Sequence, residues 1–280
     1  MRTLTLGPAP TVDPAERHDR QVRAFGAEGQ VRLRDSTVAV VGAGGIGSLL
    51  VSGMARLGTG RLIIVDPDRI DPTSLNRMDG ATEDDARRQR PKSDVAARTV
   101  ARIDPSILVH AVNSSILDTD VWKSLRCADL ILGAVDGHAP RWALNALAVQ
   151  YARHYIDTGA EITRRDDDSL DVSGHVATVT PYGPCLLCLS GYDPVTASRE
   201  LDPALTHAKR AAGYLREAPD EPTPSVLFLN QAITAVALGE ALNILTGWHP
   251  PRPYTLIDLS APALTPIHAD PDPRCPACGT

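Results

Sequence analysis

Aromatic residues make up only 4% of the 280 positions, and lysine and arginine (28) are outnumbered by aspartate and glutamate (34), giving a net charge of −6. No long run of basic residues is present, so the electrostatic footprint of a nucleic-acid binder is missing. A stretch of about 18 apolar residues, the length a membrane span needs, is also absent, and the segment from Met1 to Pro14 is polar with no apolar signal core. These absences predict a cytoplasmic protein without a membrane or nucleic-acid partner. No internal repeat is found, which excludes solenoids and propellers. Between residues 189 and 274 there is no cysteine.

What is present is an alternation of short apolar runs and helical patterns. Thr37 to Val41, Arg61 to Val65, Leu108 to Val112 and Asp129 to Val135 read as buried strands. Ser48 to Leu57, Lys92 to Ile103, Asp120 to Leu125 and Pro140 to Arg153 read as helices. Residues 15 to 35 suit one or two amphipathic helical turns. Residues Val172 to Thr180 alternate like an antiparallel strand, Val226 to Leu245 is a long apolar helix, and Tyr254 to Leu259 a late strand. The fold class expected is α/β: a doubly wound, Rossmann-like, mostly parallel sheet extended by antiparallel strands. Three segments of one compact domain are expected: 1–35 as an arginine-bearing helical arm, 36–184 as the nucleotide-binding core, and 185–280 as crossover, long helix and tail.

Gly42-Ala-Gly-Gly-Ile-Gly47, after a strand and before a helix, fits the G-x-G-x-x-G turn. Gly42, Gly44, Gly45 and Gly47 let backbone amides and a helix N-terminus approach a phosphate. Asp66, ending the next strand, stands where a ribose-hydroxyl acceptor belongs. The long polar stretch that follows holds Asp68, Asp71, Ser74, Asn76 and Arg77 before Lys92, a length typical of ligand-binding loops. Arg77 and Lys92 can neutralise phosphate oxygens, Asp136 can hold Mg²⁺, and Arg17 or Arg20 can add a guanidinium. Singly, each has a structural explanation, since loop arginines are commonly solvated and Lys92 can simply begin a helix.

The cysteines are Cys127, Cys185, Cys188, Cys275 and Cys278. Four form two C-x-x-C pairs, the arrangement that a closed tetrahedral zinc accepts. With all four positions filled, the metal is a staple without an open coordination site. Cys127 is expected to pack in the core. His138 is expected on a solvent-facing loop, and His175, His207, His249 and His268, which lack motif spacing, in structural roles.

Taken together, Arg17-His-Asp-Arg-Gln21, Gly42 to Gly47, Asp66-Pro-Asp68, Leu75-Asn-Arg77, Arg90-Pro-Lys92, and Asp136 with Arg141 and Asn145 resemble the ThiF/MoeB/HesA family, bacterial relatives of ubiquitin-activating enzymes. The family has the same cysteine knuckles, so the resemblance spans nearly the whole chain. It implies an ATP-dependent adenylyltransferase that activates the C-terminal glycine of a ubiquitin-like or sulfur-carrier protein. It also implies a homodimer in which Arg20 reaches the partner's ATP, with Asp66 on the ribose, Arg77 and Lys92 on phosphates, and magnesium on Asp136. Two positions depart from the family's S-N-L-x-R-Q: Ser74 stands for asparagine and Met78 for glutamine, which Asn76 is a candidate to offset. Many relatives carry a nucleophilic cysteine between the knuckles; its absence here predicts adenylation without a thioester, the acyl group passing to a separate acceptor or sulfur donor. Competing expectations are adenylation of a short ribosomal peptide, a silent scaffold that binds nucleotide or a ubiquitin-like protein, and an NAD-dependent oxidoreductase.

Overall fold

The computed structural model describes residues 2–4, 14–202 and 224–279. Its strands are β1 (Arg2–Leu4), β2 (Thr37–Val41), β3 (Arg61–Val65), β4 (Leu108–Val112), β5 (Leu130–Gly133), β6 (His154–Arg164), β7 (Leu170–Val179), β8 (Tyr254–Asp258) and β9 (Ala263–Ile267). They form one sheet in the order β1-β4-β3-β2-β5-β6-β7-β8-β9. From β4 to β6 every pairing is parallel, while β1 and the strands from β7 onward pair antiparallel. The expected mostly parallel sheet with an antiparallel extension is what forms.

The helices are α1 (Pro14–Asp35), α2 (Gly45–Leu57), α3 (Glu83–Arg87), α4 (Lys92–Ile103), α5 (Thr119–Leu125), α6 (His138–Gln150), α7 (Pro194–Leu201) and α8 (Leu227–Thr246). Both faces of the parallel strands are covered, which is why those strands read as unbroken apolar runs. Val38, Val40, Leu62 and Ile64 pack with Leu50, Met54, Val100 and Ile233 of α2, α4 and α8. On the other face, Ala39, Val41, Ile63 and Val65 join a core with Leu125 of α5 and Leu144 and Leu147 of α6.

Several boundaries depart from expectation. The N-terminal helix is a 22-residue element interrupted at Gly26, well beyond one or two turns. The polar stretch after Asp66 contains a 3-10 turn at Pro72–Ser74 and the short α3, whose capping box joins Thr82 and Asp85. Pro194–Leu201 is helical, Asp193 accepting from the amides of Val195 and Thr196 as its cap. Contrary to the absence of a long apolar run, α8 is long and apolar enough to cross a membrane by length and composition. Its apolar side chains have another destination: Leu229, Ile233, Ala237 and Ala241 are fully buried in the core.

Candidate active site

The strand order turns outward on either side of β2, and the cleft lies where such sheets bind ligands, at the carboxyl ends of β2, β3 and β5. Two adjoining cavities of about 180 and 310 Å³ share Gly44, Lys92 and Asp136 in their walls. The first is also walled by Asp66 and Asp68. The second is walled by Gly45, Ser74, Arg77, Arg141 and Asn230.

The glycine turn works by close approach. Gly42 has φ +88°, and a Cβ there would lie 2.2 Å from the Ala134 carbonyl oxygen. A Cβ on Gly47 would lie 1.7 Å from the Gly42 carbonyl oxygen, so this glycine serves packing of the turn. Gly44 faces open space, and a Cβ on Gly45 would meet Asn230 Nδ2 at 2.3 Å. The N-terminus of α2 therefore opens into the cleft with no side chain capping it.

Asp66 is buried, and each carboxylate oxygen accepts a backbone amide: Ala43 N–H donates to Oδ2 at 2.6 Å and Asp68 N–H to Oδ1 at 2.8 Å. Burial pushes its pKa up; the two amides and Lys92 pull the other way without cancelling it. Asp66 thereby ties the glycine turn to the loop after β3. Lys92 opens α4, donating its amide to the Asp68 carbonyl at 2.9 Å and its Nζ to Asp68 Oδ2 at 2.9 Å.

Arg77 is turned partly onto its own loop, its Nη1 donating to Thr73 O and to Asn76 Oδ1. Ser74 is buried in the cleft wall, with its hydroxyl held by Asp71 Oδ1 at 3.1 Å. Asn76, expected in the nucleotide site, is exposed and walls neither cavity: its short side chain is spent on Arg77. Met78 is buried against Ile70, Ala86 and Val95, so its thioether takes a place in a small apolar cluster.

Asp136 is exposed, three residues beyond the end of β5, and free of hydrogen-bond partners among the described residues. Arg20 lies on the exposed face of α1 and walls neither cavity of its own chain. Arg17 is committed elsewhere, donating to Ile103 O at 2.6 Å beside Asp104. Gln21 and Gln30 both donate to Leu57 O, fixing α1 to the end of α2.

Sequence reasoning missed several cleft residues. Asn230, on the apolar α8, lies 1% exposed in the wall. Glu200 of α7 accepts from the amides of His138 and Ala139 at 2.8 and 2.7 Å, capping α6 beside Asp136. Arg141, which the family resemblance included without a role, stands over a residue that was missed, the fully buried Asp157, which also meets Tyr155 and His175. Asp157 had no sequence signal, because a single aspartate inside an apolar strand resembles any strand end.

Two further expectations change. Cys127 is exposed, since it falls in the turn after α5 while its neighbours Leu125 and Ala128 take the core positions. His138 begins α6 half-buried, its Nδ1 accepting from the Asp193 amide at 2.8 Å, so it belongs to a helix start and not to a solvent-facing loop. His175 stacks on Tyr254, and His207 lies outside the described residues.

The four paired cysteines converge as expected. Cys185 Sγ lies 3.8 Å from Cys188 Sγ and 3.7 Å from Cys275 Sγ, and Cys188 Sγ lies 3.5 Å from Cys278 Sγ. Four sulfurs about 2.3 Å from a central zinc stand about 3.8 Å apart in a regular tetrahedron. Burial pushes the Cys185 thiol up, and a central dication would favour its thiolate. The cluster could hold a zinc ion and leaves it no vacant ligand position.

Residues 18–277 match the profile of the ThiF family. The chain belongs to the ThiF family. This ThiF-family chain is 27% identical, over 96% of its own length and 92% of the relative's, to a sulfur carrier protein adenylyltransferase of Thermus thermophilus. It is 31% identical to the SAMP-activating enzyme E1 of Haloferax volcanii, over 59% of its length and 57% of that protein's. The chain thus spans nearly all of the first relative and little more than half of the second. Among solved structures, the Escherichia coli enzyme MccB bound to ATP shares its fold, with TM-score 0.72, 19% identity, and coverage of 97% of this chain and 76% of that one. ThiF membership, the Thermus relative and the adenylyltransferase and sulfurtransferase UBA4 of Yarrowia lipolytica, 31% identical over 64% of this chain and 43% of that protein, identify an ATP-dependent adenylyltransferase.

Proposed function

We propose that this protein adenylates the C-terminal carboxylate of a ubiquitin-like or sulfur-carrier protein ending in glycine. One observation carries the reading: Asp66, Arg77, Lys92 and Asp136 stand around adjoining cavities at the glycine turn. The Thermus relative, matched almost end to end, supports the substrate class.

ATP would lie with its ribose toward Asp66 and its phosphates toward the α2 N-terminus, Arg77 and Lys92. Asp136 would hold magnesium, which supplies charge neutralisation on the triphosphate when bound. A substrate carboxylate oxygen attacks the α-phosphorus, the bond to the β-phosphate's bridging oxygen breaks, and pyrophosphate leaves with the electron pair. The carboxylate is already ionised near neutral pH, so no general base is required. The chain contributes position and charge. The four cysteines would hold zinc as a structural ion, Arg20 would serve the site of a second copy in a homodimer, and the reaction would take place in the cytoplasm. The acyl-adenylate would pass to a separate acceptor, without a thioester on this chain.

The test is ATP–pyrophosphate exchange with glycine-terminated carrier proteins and, in parallel, short ribosomal peptides. Exchange that depends on a carrier protein and falls at least 100-fold in Lys92→Ala and Asp136→Ala supports the reading, as removal of charge stabilisation of this kind costs about 10²–10³-fold. Exchange with peptides alone would replace the substrate class. Binding of ATP with no exchange would mean a scaffold, and stabilisation by NADH in place of ATP would overturn adenylation.

A further inference from the structure

Arg141 projects from α6 into the second cavity and does not wall the first, where Asp66 stands. Its side chain is 18% exposed and rests on Asp157, which is fully buried, with Nε 3.5 Å from Oδ2. A guanidinium carries five N–H donors. Among the described residues only one hydrogen bond uses them, from Nη2 to the Thr158 carbonyl at 3.4 Å, and the buried Nε has no hydrogen-bond partner. Arginines with so little of their fork engaged, in a half-closed cleft, are set up for an anion.

The surroundings fix where that fork lies. Tyr155 donates to Asp157 Oδ1 at 2.5 Å, His175 Nε2 meets Oδ2 at 2.9 Å, and the His175 ring stacks on Tyr254. Above this group the chain has no side chain at Gly159, where a Cβ would lie 2.8 Å from Arg141 Nη2 and 2.3 Å from His175 Cε1. Arg77 lies on another wall, its Cδ 3.4 Å from the position of a Cβ on Gly45. The phosphate side of the cleft therefore has its own cations, and Arg141 stands among Thr158, Gly159 and Ala160 at the middle of β6.

We propose that Arg141 receives the carboxyl group of the acyl substrate and aims it at the α-phosphorus, and that Asp157, His175 and Tyr155 are positioning residues for that guanidinium. The assignment rests on the adenylation reading above. An unopposed arginine in a dry site would hold a carboxylate too tightly to let it attack; the buried Asp157 beside Nε offsets part of that charge. The fork then orients the nucleophile and stays with the same group as it becomes the acyl-adenylate carbonyl.

The experiment avoids the need to know the substrate. Affinities of 5′-O-sulfamoyladenosine and of 5′-O-(N-glycylglycyl)sulfamoyladenosine, an acyl-adenylate mimic, are measured by calorimetry for wild type, Arg141→Gln, Arg141→Lys and His175→Gln. In the wild type the acyl extension should tighten binding at least tenfold. In Arg141→Gln that gain should shrink to about twofold or less while sulfamoyladenosine binds within threefold of wild type, since a charge-assisted hydrogen bond is worth about a factor of ten or more. Arg141→Lys keeps the charge without the fork and should lose most of the gain, which also serves if the glutamine variant fails to fold. His175→Gln should reduce the acyl gain alone; a purely structural role would move both affinities together. Equal loss of both ligands in Arg141→Gln, or no acyl gain in the wild type, would overturn the assignment and leave adenylation standing. Failure of both nucleosides to bind the wild type would instead bring down the adenylation reading itself.

Discussion

Asn145 Oδ1 accepts the Leu186 amide at 2.7 Å, so the helix that begins beside Asp136 grips the loop between Cys185 and Cys188. Asn145 is 1% exposed and its amide nitrogen reaches Tyr192 Oη at 3.4 Å. The cleft and the cysteine cluster are therefore joined through one buried side chain.

With zinc on the four cysteines as proposed, its removal should loosen that joint before it affects chemistry. Chelation, or Cys275→Ser, is expected to lower the thermal midpoint by about 10 °C, as several kcal/mol of metal-linked stability at a few degrees each implies. ATP affinity at 20 °C should hold within a few-fold. Calorimetry with and without chelator checks both, and an ATP affinity lost before any unfolding would show that the cluster does more than brace the fold.

Gly45→Ala should impair nucleotide binding through crowding, because its Cβ would sit 2.3 Å from Asn230 Nδ2. Overpacking of this kind costs about 1–3 kcal/mol. Adding Asn230→Ala should return part of the ATP affinity, a non-additivity expected of touching side chains. Additive losses in equilibrium binding would place the glycine's role elsewhere.

Asp85 is 1% exposed and accepts two bonds from Arg98, at 2.7 and 2.6 Å, which hold its carboxyl far below the ordinary carboxylate range. A depressed carboxylate stabilises the fold fully above its unfolded pKa of about 4 and loses that contribution as pH falls through the folded value. Arg98→Ala should thus cost about 3 kcal/mol at pH 7 and less at pH 2.5. Urea unfolding at the two pH values measures it, and an equal cost at both would exclude this pair as the cause.

Arg20, exposed and outside its own cleft, supplies a test of assembly. Arg20→Ala and Lys92→Ala should each be inactive in pyrophosphate exchange. Mixed after subunit exchange, they should recover about a quarter of wild-type activity, because half the dimers are mixed and each of those has one intact composite site. No recovery from two inactive variants would mean that Arg20 acts within its own chain, and an active Arg20→Ala that it has no role.

Cys127→Ser should leave the full reaction unchanged, and no thiol-reducible acyl adduct should form on the chain. Exposure alone does not make a thiol a nucleophile, and Cys127 walls neither cavity. An adduct at Cys127, read by mass spectrometry, would reverse this.

The sequence was most legible where local and tertiary signals coincide. The run Lys92–Ile103 is a helix with the expected ends, since Pro91 precedes it and an apolar stripe runs along it. The glycine turn and its aspartate were plain for the same reason. The residues that escaped notice get their roles from distant partners: Asn230 is a polar position in an apolar helix, and Glu200 reaches α6 across 62 residues. The strand β9 was not foreseen because all five of its residues are exposed, leaving no alternation to read. Cys127 misled through its company, an apolar neighbourhood in which the turn gives it the one outward place.

That outermost strand has a consequence for solubility. Among the described residues the antiparallel extension ends at β9, whose Leu264 and Ile267 are exposed, with no further strand beyond it. An apolar border of this kind is a template on which other chains stack into aggregates. Pro266, between them, offers no amide hydrogen and so interrupts the ladder that an added strand would need. Replacing it would remove the protein's gatekeeper against self-association at high concentration.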